Sequence, residues 1–265
     1  MNQSVKMLTI RDVSAMKQRG EKISCLTAYD ASFSAIIDQA GIDLMLVGDS
    51  LGMVIQGSDA TLQVSIRDMA YHTRAVCKAR RRAFVVADLP FMTYPTPLVA
   101  AQNAAKLMRA GAQMVKLEGA RTDCIRFLVD QGIPVCGHLG LLPQSINQLG
   151  GYRVQGREPA DAEKILTEAL QVQEAGAALL VLECVPADLA GEIGKQLAIP
   201  VIGIGAGADC DGQVLVLYDM LDIGILRRPR FSMNFMKGAA GVEEAIRAYR
   251  LAVKEGRFPA AEHSY

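Results

Sequence analysis

Gly41-Ile42-Asp43-Leu44-Met45-Leu46-Val47-Gly48-Asp49-Ser50 is an apolar run that opens on glycine and stops in a carboxylate and a hydroxyl. A run this short, closed by Gly-Asp-Ser, reads as a buried parallel strand, and burial gives no reason for the acid at its end. The same ending recurs. Ala83 to Val86 runs into Ala87-Asp88, Gln113 to Val115 into Lys116-Leu117-Glu118, and Ala178 to Leu182 into Glu183. The chain is organised around acids at the C-terminal ends of strands.

Outward from that stretch, the junction Ala40-Gly41-Ile42 repeats as Ala110-Gly111-Ala112, Gln131-Gly132-Ile133 and Ala175-Gly176-Ala177. In each, a glycine just past a helix turns the chain back into a strand. Ile133-Pro134-Val135 and Ile199-Pro200-Val201 open two further strands, where proline is tolerated. Strands are predicted near Ile23, Leu44, Val85, Met114, Val135, Leu180 and Val201, with a weaker eighth at Ile223 to Leu226. Strand and helix alternate without a break, which predicts an α/β fold, a (β/α)8 TIM barrel formed as a single domain by residues 1–265. A helix from Ile10 to Arg19, capped by Thr9, precedes the first strand and is placed to cover one end of the barrel. Two connections are long, Gly48 to Ser65 and Leu139 to Pro159. Both follow strands, on the face where barrels build their active sites.

Of 265 residues, 51% are apolar, enough for a large core. Lys plus Arg, at 28, equals Asp plus Glu, so no net charge draws the chain to nucleic acid or an anionic membrane. The one basic run, Lys78-Ala79-Arg80-Arg81-Arg82, reads as a solvated helix end. Six scattered cysteines lack the paired spacing of a zinc or redox motif. Met1 to Asp12 has no apolar signal core, and no apolar stretch nears the ~18 residues that would span a bilayer. The expectation is a soluble cytoplasmic protein.

Strand alternation puts Met45, Val47 and Asp49 on one face, and likewise Phe84, Val86 and Asp88, then Met114, Lys116 and Glu118, then Leu179, Val181 and Glu183. If those faces point inward, four acids and a lysine converge at the barrel mouth. Any one acid could as well cap the following helix, but a shared parity on four strands favours a site. Asp49, Asp88 and Glu118 come from neighbouring strands, and carboxylates that close repel unless protonated or neutralised by a cation. An all-oxygen set suits Mg²⁺. Glu183, across the barrel, suits a general base. Cys184 has the opposite parity and is expected to face outward. His138 ends the fifth strand as a structural or substrate-contacting histidine. Gly203-Ile204-Gly205-Ala206-Gly207 lacks the dinucleotide-binding spacing and is expected to let a flat or anionic ligand approach.

These residues carry a resemblance to the ketopantoate hydroxymethyltransferase family. The similar stretches are Thr27-Ala28-Tyr29-Asp30, Val47 to Gly52, Ala87 to Phe91, Val115 to Gly119, Cys136 to Leu141, Gly150 to Gly156, Leu182 to Pro186 and Ile202 to Gly207. The resemblance implies a barrel like those of the phosphoenolpyruvate mutase and isocitrate lyase group, assembled as a homodecamer. It also implies transfer of a one-carbon unit from 5,10-methylenetetrahydrofolate to 3-methyl-2-oxobutanoate, giving 2-dehydropantoate for pantothenate synthesis. On this chain it implies Asp49 and Asp88 as magnesium ligands that also meet the keto acid, with Glu118 in the metal's surroundings. Ser50 and Lys116 become substrate binders and Glu183 the proton acceptor. A 2-oxo acid can chelate Mg²⁺, which lowers the cost of the enolate left when the neighbouring carbon loses its proton. Two alternatives use the same residues differently: a magnesium-dependent 2-oxo acid lyase, and an inactive barrel kept for binding or assembly.

Overall fold

The structure is a computed structural model, describing residues 6–224 and 227–265. Thr9 caps α1 (Ile10–Gln18): its hydroxyl accepts from the Asp12 N–H, and the Asp12 carboxylate accepts from the Thr9 N–H. There follow β1 (Ile23–Thr27), α2 (Ala31–Gln39), β2 (Leu44–Val47), α3 (Leu51–Val54), α4 (Ile66–Ala79), β3 (Phe84–Asp88), α5 (Pro97–Ala110), β4 (Met114–Glu118) and α6 (Thr122–Asp130). The second half comprises β5 (Val135–Gly140), α7 (Ile146–Leu149), α8 (Pro159–Glu174), β6 (Leu179–Glu183), α9 (Ala187–Gln196), β7 (Val201–Ile204), β8 (Gly212–Leu215), α10 (Leu217–Leu221) and α11 (Val242–Lys254). The junction glycines turn as expected, Gly111 at φ 112° and Gly176 at φ 99°, a region where a Cβ would be strained.

All eight strands are parallel, pair in chain order, and close β8 onto β1. Closure leaves no unpaired edge. Two layers of core result. Inside the barrel Cys25, Leu44, Val86, Met114, Cys136, Val181, Ile202 and Val214 stack on one another, and Val13 and Met16 of α1 plug the end away from the strand C-termini. Outside, Met45, Val47, Val85, Val115, Leu117, Leu180 and Leu182 pack against helix residues such as Ile37, Met69, Leu107, Ile125 and Val172. No helix among the described residues is long and apolar enough to cross a membrane. All six cysteines are free thiols.

Two expectations are corrected. The barrel closes at Gly212–Leu215. Ile223 and Gly224, the start of the expected eighth strand, belong to no strand, and Ile225 and Leu226 lie outside the described residues. The true β8 is short, and at its start a Cβ on Gly212 would collide with the Ile23 carbonyl, so glycine fits where an apolar residue was sought. The basic run is also not wholly solvated. Arg82 Nη2 lies 2.9 Å and Lys254 Nζ 2.7 Å from the carboxylate of buried Asp43, which also accepts from the Ser24 hydroxyl. A buried acid needs such partners.

Candidate active site

A cavity of about 510 Å³ opens at the C-terminal ends of the strands. The two long connections wall it, one through Met53 and Thr61, the other through Leu141, Tyr152 and Arg153. Asp88, Lys116, Glu118, His138 and Glu183 line it from β3, β4, β5 and β6, continuing the inward parity of Val86, Met114, Cys136 and Val181. Asp49 arrives differently. On β2 it is Leu44 that stacks inside the barrel, while Met45 and Val47 face the helices. The strand ends at Val47, and the turn Gly48-Asp49-Ser50 leads into α3, with the Leu51 N–H on the Gly48 carbonyl at 3.1 Å. That turn swings Asp49 into the cavity, so the expected residue is there without the expected parity.

Asp49, Asp88, Lys116, Glu118 and His138 are each at most 4% exposed. The Asp49 N–H donates to Asp88 Oδ2 at 3.1 Å, tying β2 to β3. Lys116 Nζ lies 3.1 Å from Asp88 Oδ1 and 3.2 Å from His138 Nδ1. Burial works against the lysine's charge, but Asp88, Glu118 and Asp49 outweigh it and hold the ammonium charged, above the ordinary lysine range. Burial, then the neighbouring Asp88, pushes Asp49 up to about 7. Burial and Asp49 push Glu118 well above the usual carboxylate range. Burial and Lys116 drive His138 well below its ordinary value, so it is neutral. With Nδ1 turned to an ammonium, its proton is assigned to Nε2, 3.2 Å from Glu183 Oε2.

Glu183 stands apart. In a closed ring of eight strands β6 lies opposite β2, and burial raises Glu183 to about 7, opposed by Lys116. The cavity thus holds an acid-rich wall with one fixed cation, and across it the single carboxylate of Glu183. The wall suits a ligand with paired oxygens, and the lone carboxylate suits proton abstraction.

The acid wall fits a hard cation. Glu118 Oε1 is buried and makes no hydrogen bond among the described residues, and Asp88 Oδ1 is met only by the Lys116 ammonium at 3.1 Å; a buried anionic oxygen left without a donor calls for a cation. Among the described residues no group of three or more His, Cys, Asp or Glu side chains is arranged to hold an ion unaided. A cation here would therefore keep water and substrate oxygens, as Mg²⁺ commonly does.

Ser50, expected to meet substrate, lines the cavity and its hydroxyl is 2.8 Å from that of Tyr29. Cys184 does not simply face outward: its φ of 48° breaks the strand alternation and it joins the cavity lining, where burial and Glu183 hold its thiol high and unreactive. The glycine loop serves the protein itself. A Cβ on Gly205 would press on Phe231 and Tyr265, and one on Gly207 on Ala187, so the close approach is internal. Sequence reasoning missed Gln144 and Tyr94, whose side chains reach the acid wall.

Fold and site together define an enzyme of the (β/α)8 class with its cavity at the strand C-termini. Solved structures share that fold: a 2,3-dimethylmalate lyase of the PEP mutase/isocitrate lyase superfamily (TM-score 0.59, 18% identity, 79% of this chain and 81% of that one) and a phosphonopyruvate hydrolase in complex with oxalate and Mg²⁺ (TM-score 0.61, 12% identity, 96% and 100%). The family described as ketopantoate hydroxymethyltransferase matches residues 7–261. A 3-methyl-2-oxobutanoate hydroxymethyltransferase from Thiobacillus denitrificans is 58% identical over 97% of this chain and 99% of its own length. One from Psychromonas ingrahamii is 54% identical over 97% and 98%. The chain belongs to the ketopantoate hydroxymethyltransferase family.

Proposed function

We propose that this chain transfers a hydroxymethyl group from 5,10-methylenetetrahydrofolate to 3-methyl-2-oxobutanoate, giving 2-dehydropantoate. The observation that carries the reading is the division of one cavity between a cation-ready acid wall at the ends of β2, β3 and β4 and the Glu183 carboxylate at the end of β6. The names of the relatives support the keto acid as the acceptor of a hydroxymethyl group. Asp49 and Asp88 would hold Mg²⁺, with Glu118 beside them. When bound, the ion supplies positive charge to the keto acid's oxygens and so makes its C3 proton more acidic.

The chain's own residues do the rest. Lys116, held charged, faces the substrate's anionic end, and Ser50 offers a hydroxyl from the α3 turn. Glu183 takes the C3 proton, with neutral His138 Nε2 3.2 Å from Glu183 Oε2 but not aligned as a hydrogen bond. The C3 electron pair forms a bond to the folate methylene carbon, both bonds from that carbon to nitrogen break, water supplies the hydroxyl on it, and the C3 proton and one proton of that water end on the two nitrogens of tetrahydrofolate. The apolar lining from Leu141, Val154 and Phe231 keeps bulk water from the carbanion. The same reading takes 1–265 as a single domain, assembled as a homodecamer in the cytoplasm, supported by the family alone and tested by sedimentation and cell fractionation. The activity test is to supply both substrates with Mg²⁺ and follow the products. Formation of 2-dehydropantoate with equimolar tetrahydrofolate is expected, and cleavage of the keto acid without folate would sink the reading.

A further inference from the structure

Gln144 sits in a 3₁₀ turn (Pro143–Ser145) of the connection after β5, only 5% exposed, and every polar atom of its side chain is committed. Its Nε2 donates to Asp49 Oδ2 at 2.7 Å and to the Leu89 carbonyl at 3.0 Å. Its Oε1 accepts from the Tyr94 hydroxyl at 2.5 Å, and its backbone N–H donates to Glu118 Oε2 at 3.0 Å. The Tyr94 oxygen in turn accepts from the Glu118 N–H at 3.3 Å. With its oxygen serving as acceptor there, Tyr94 has its proton to give, so the amide oxygen of Gln144 must face Tyr94 and the NH₂ must face Asp49. A flipped amide would set oxygen against carboxylate and lose both bonds.

From this we infer that Gln144 is a positioning residue for the cation-holding acids, locked in one orientation by Tyr94. The inference rests on the proposed Mg²⁺ role of Asp49 and Asp88. The network ties one oxygen of each acid and leaves the other. Asp49 Oδ2 is held by Gln144, Glu118 Oε2 by the Gln144 backbone, and Asp88 Oδ2 by the Asp49 N–H. Asp49 Oδ1 and Glu118 Oε1 are left to turn toward a ligand, and Asp88 Oδ1 faces Lys116 Nζ at 3.1 Å. A neutral amide suits the task, because it fixes a carboxylate without adding a positive charge that would repel a cation or a negative one that the wall already has in excess. The turn that carries Gln144 also belongs to the connection whose Tyr152 and Arg153 wall the cavity.

The test is calorimetric titration of Mg²⁺ alone into the parent protein, Gln144→Met, Gln144→Glu and Tyr94→Phe, with circular dichroism on each. Methionine keeps the length and loses the donors. Outer partners of metal ligands are typically worth about 10- to 100-fold in affinity, and a loss of that size is expected for Gln144→Met and Gln144→Glu. Tyr94→Phe frees the amide to flip without removing it and should lose less. In steady-state turnover with saturating keto acid, raising Mg²⁺ should restore kcat in Gln144→Met, which damage to the fold would not allow. Affinity within twofold of the parent in a folded Gln144→Met, or in Tyr94→Phe and Gln144→Met alike, overturns the assignment. A parent that binds no Mg²⁺ overturns the metal reading and this inference with it, and the two failures are told apart by the parent titration. Should Gln144→Met not fold, the Tyr94→Phe titration decides, and an unchanged affinity there overturns the locked amide.

Discussion

Replacing Glu183 by Gln keeps the shape of the side chain and removes its basicity, and the structure sets expectations for both rate and stability. Loss of a general base costs about 10² to 10⁴ in the proton-transfer step, so exchange of the C3 proton of 3-methyl-2-oxobutanoate should fall by that factor. Keto-acid affinity should hold or improve, since the amide no longer repels the substrate carboxylate. Stability should move the other way. Burial raises Glu183 from 4.5 to about 7, so the folded state binds its proton more tightly than the unfolded chain does. The parent therefore loses stability as the pH climbs through that window, and the loss is complete above the folded value. At about 1.36 kcal/mol for each pH unit of displacement, the buried charge costs about 3 to 4 kcal/mol at most. The substituted amide cannot ionise. Glu183→Gln should thus melt above the parent at alkaline pH, by about 2 to 4 °C per kcal/mol for a chain of this size, and close to it below the ordinary Glu range. Exchange in deuterium oxide followed by NMR, with melting curves at both pH extremes, reads the two effects on one sample. Exchange near the parent rate, or a melting advantage that does not grow with pH, would refute the reasoning.

Asp88→Asn should weaken Mg²⁺ and keto acid together, because it removes the negative charge that Lys116 and the ion both face; calorimetry showing one affinity lost and the other intact would count against a shared site. The parent's exchange rate should rise with pH through about 7 as Glu183 ionises, and a profile flat across neutrality would contradict that base. Gly140→Ala should destabilise by about 2 kcal/mol or more and depress exchange, since φ is 89° and the new Cβ would collide with the Glu183 carbonyl; a variant as stable as the parent would show that the two strand ends are not so tightly apposed.

Most of the fold was legible because its signals are local. Glycines after helices, short apolar runs and acids at their ends each mark a boundary within a few residues. The eighth strand failed for the same reason: within Gly212-Gln213-Val214-Leu215 only Val214 and Leu215 are apolar, and closure on β1 is a long-range pairing that no local pattern announces. Strand parity located Asp88, Lys116, Glu118 and Glu183 correctly because all four sit on strands, whereas Asp49 lies past the end of β2, where alternation no longer governs direction. The glycine loop was read as a ligand's approach because the sequence cannot show that Phe231 and Tyr265 fill the space. Gln144 was illegible for a related reason: its partners Asp49 and Tyr94 are 95 and 50 residues away, and a glutamine in a loop carries no chemical signal until those partners are placed.

The central claim is that one cavity acidifies and removes a proton from a 2-oxo acid before any one-carbon donor is involved. It is tested most directly by incubating the parent protein with 3-methyl-2-oxobutanoate and Mg²⁺ in deuterium oxide, without folate, and following the C3 proton by NMR. The account predicts exchange that stops when the metal is chelated and resumes when Mg²⁺ is restored. No exchange with Mg²⁺ present, or exchange indifferent to chelation, would contradict it.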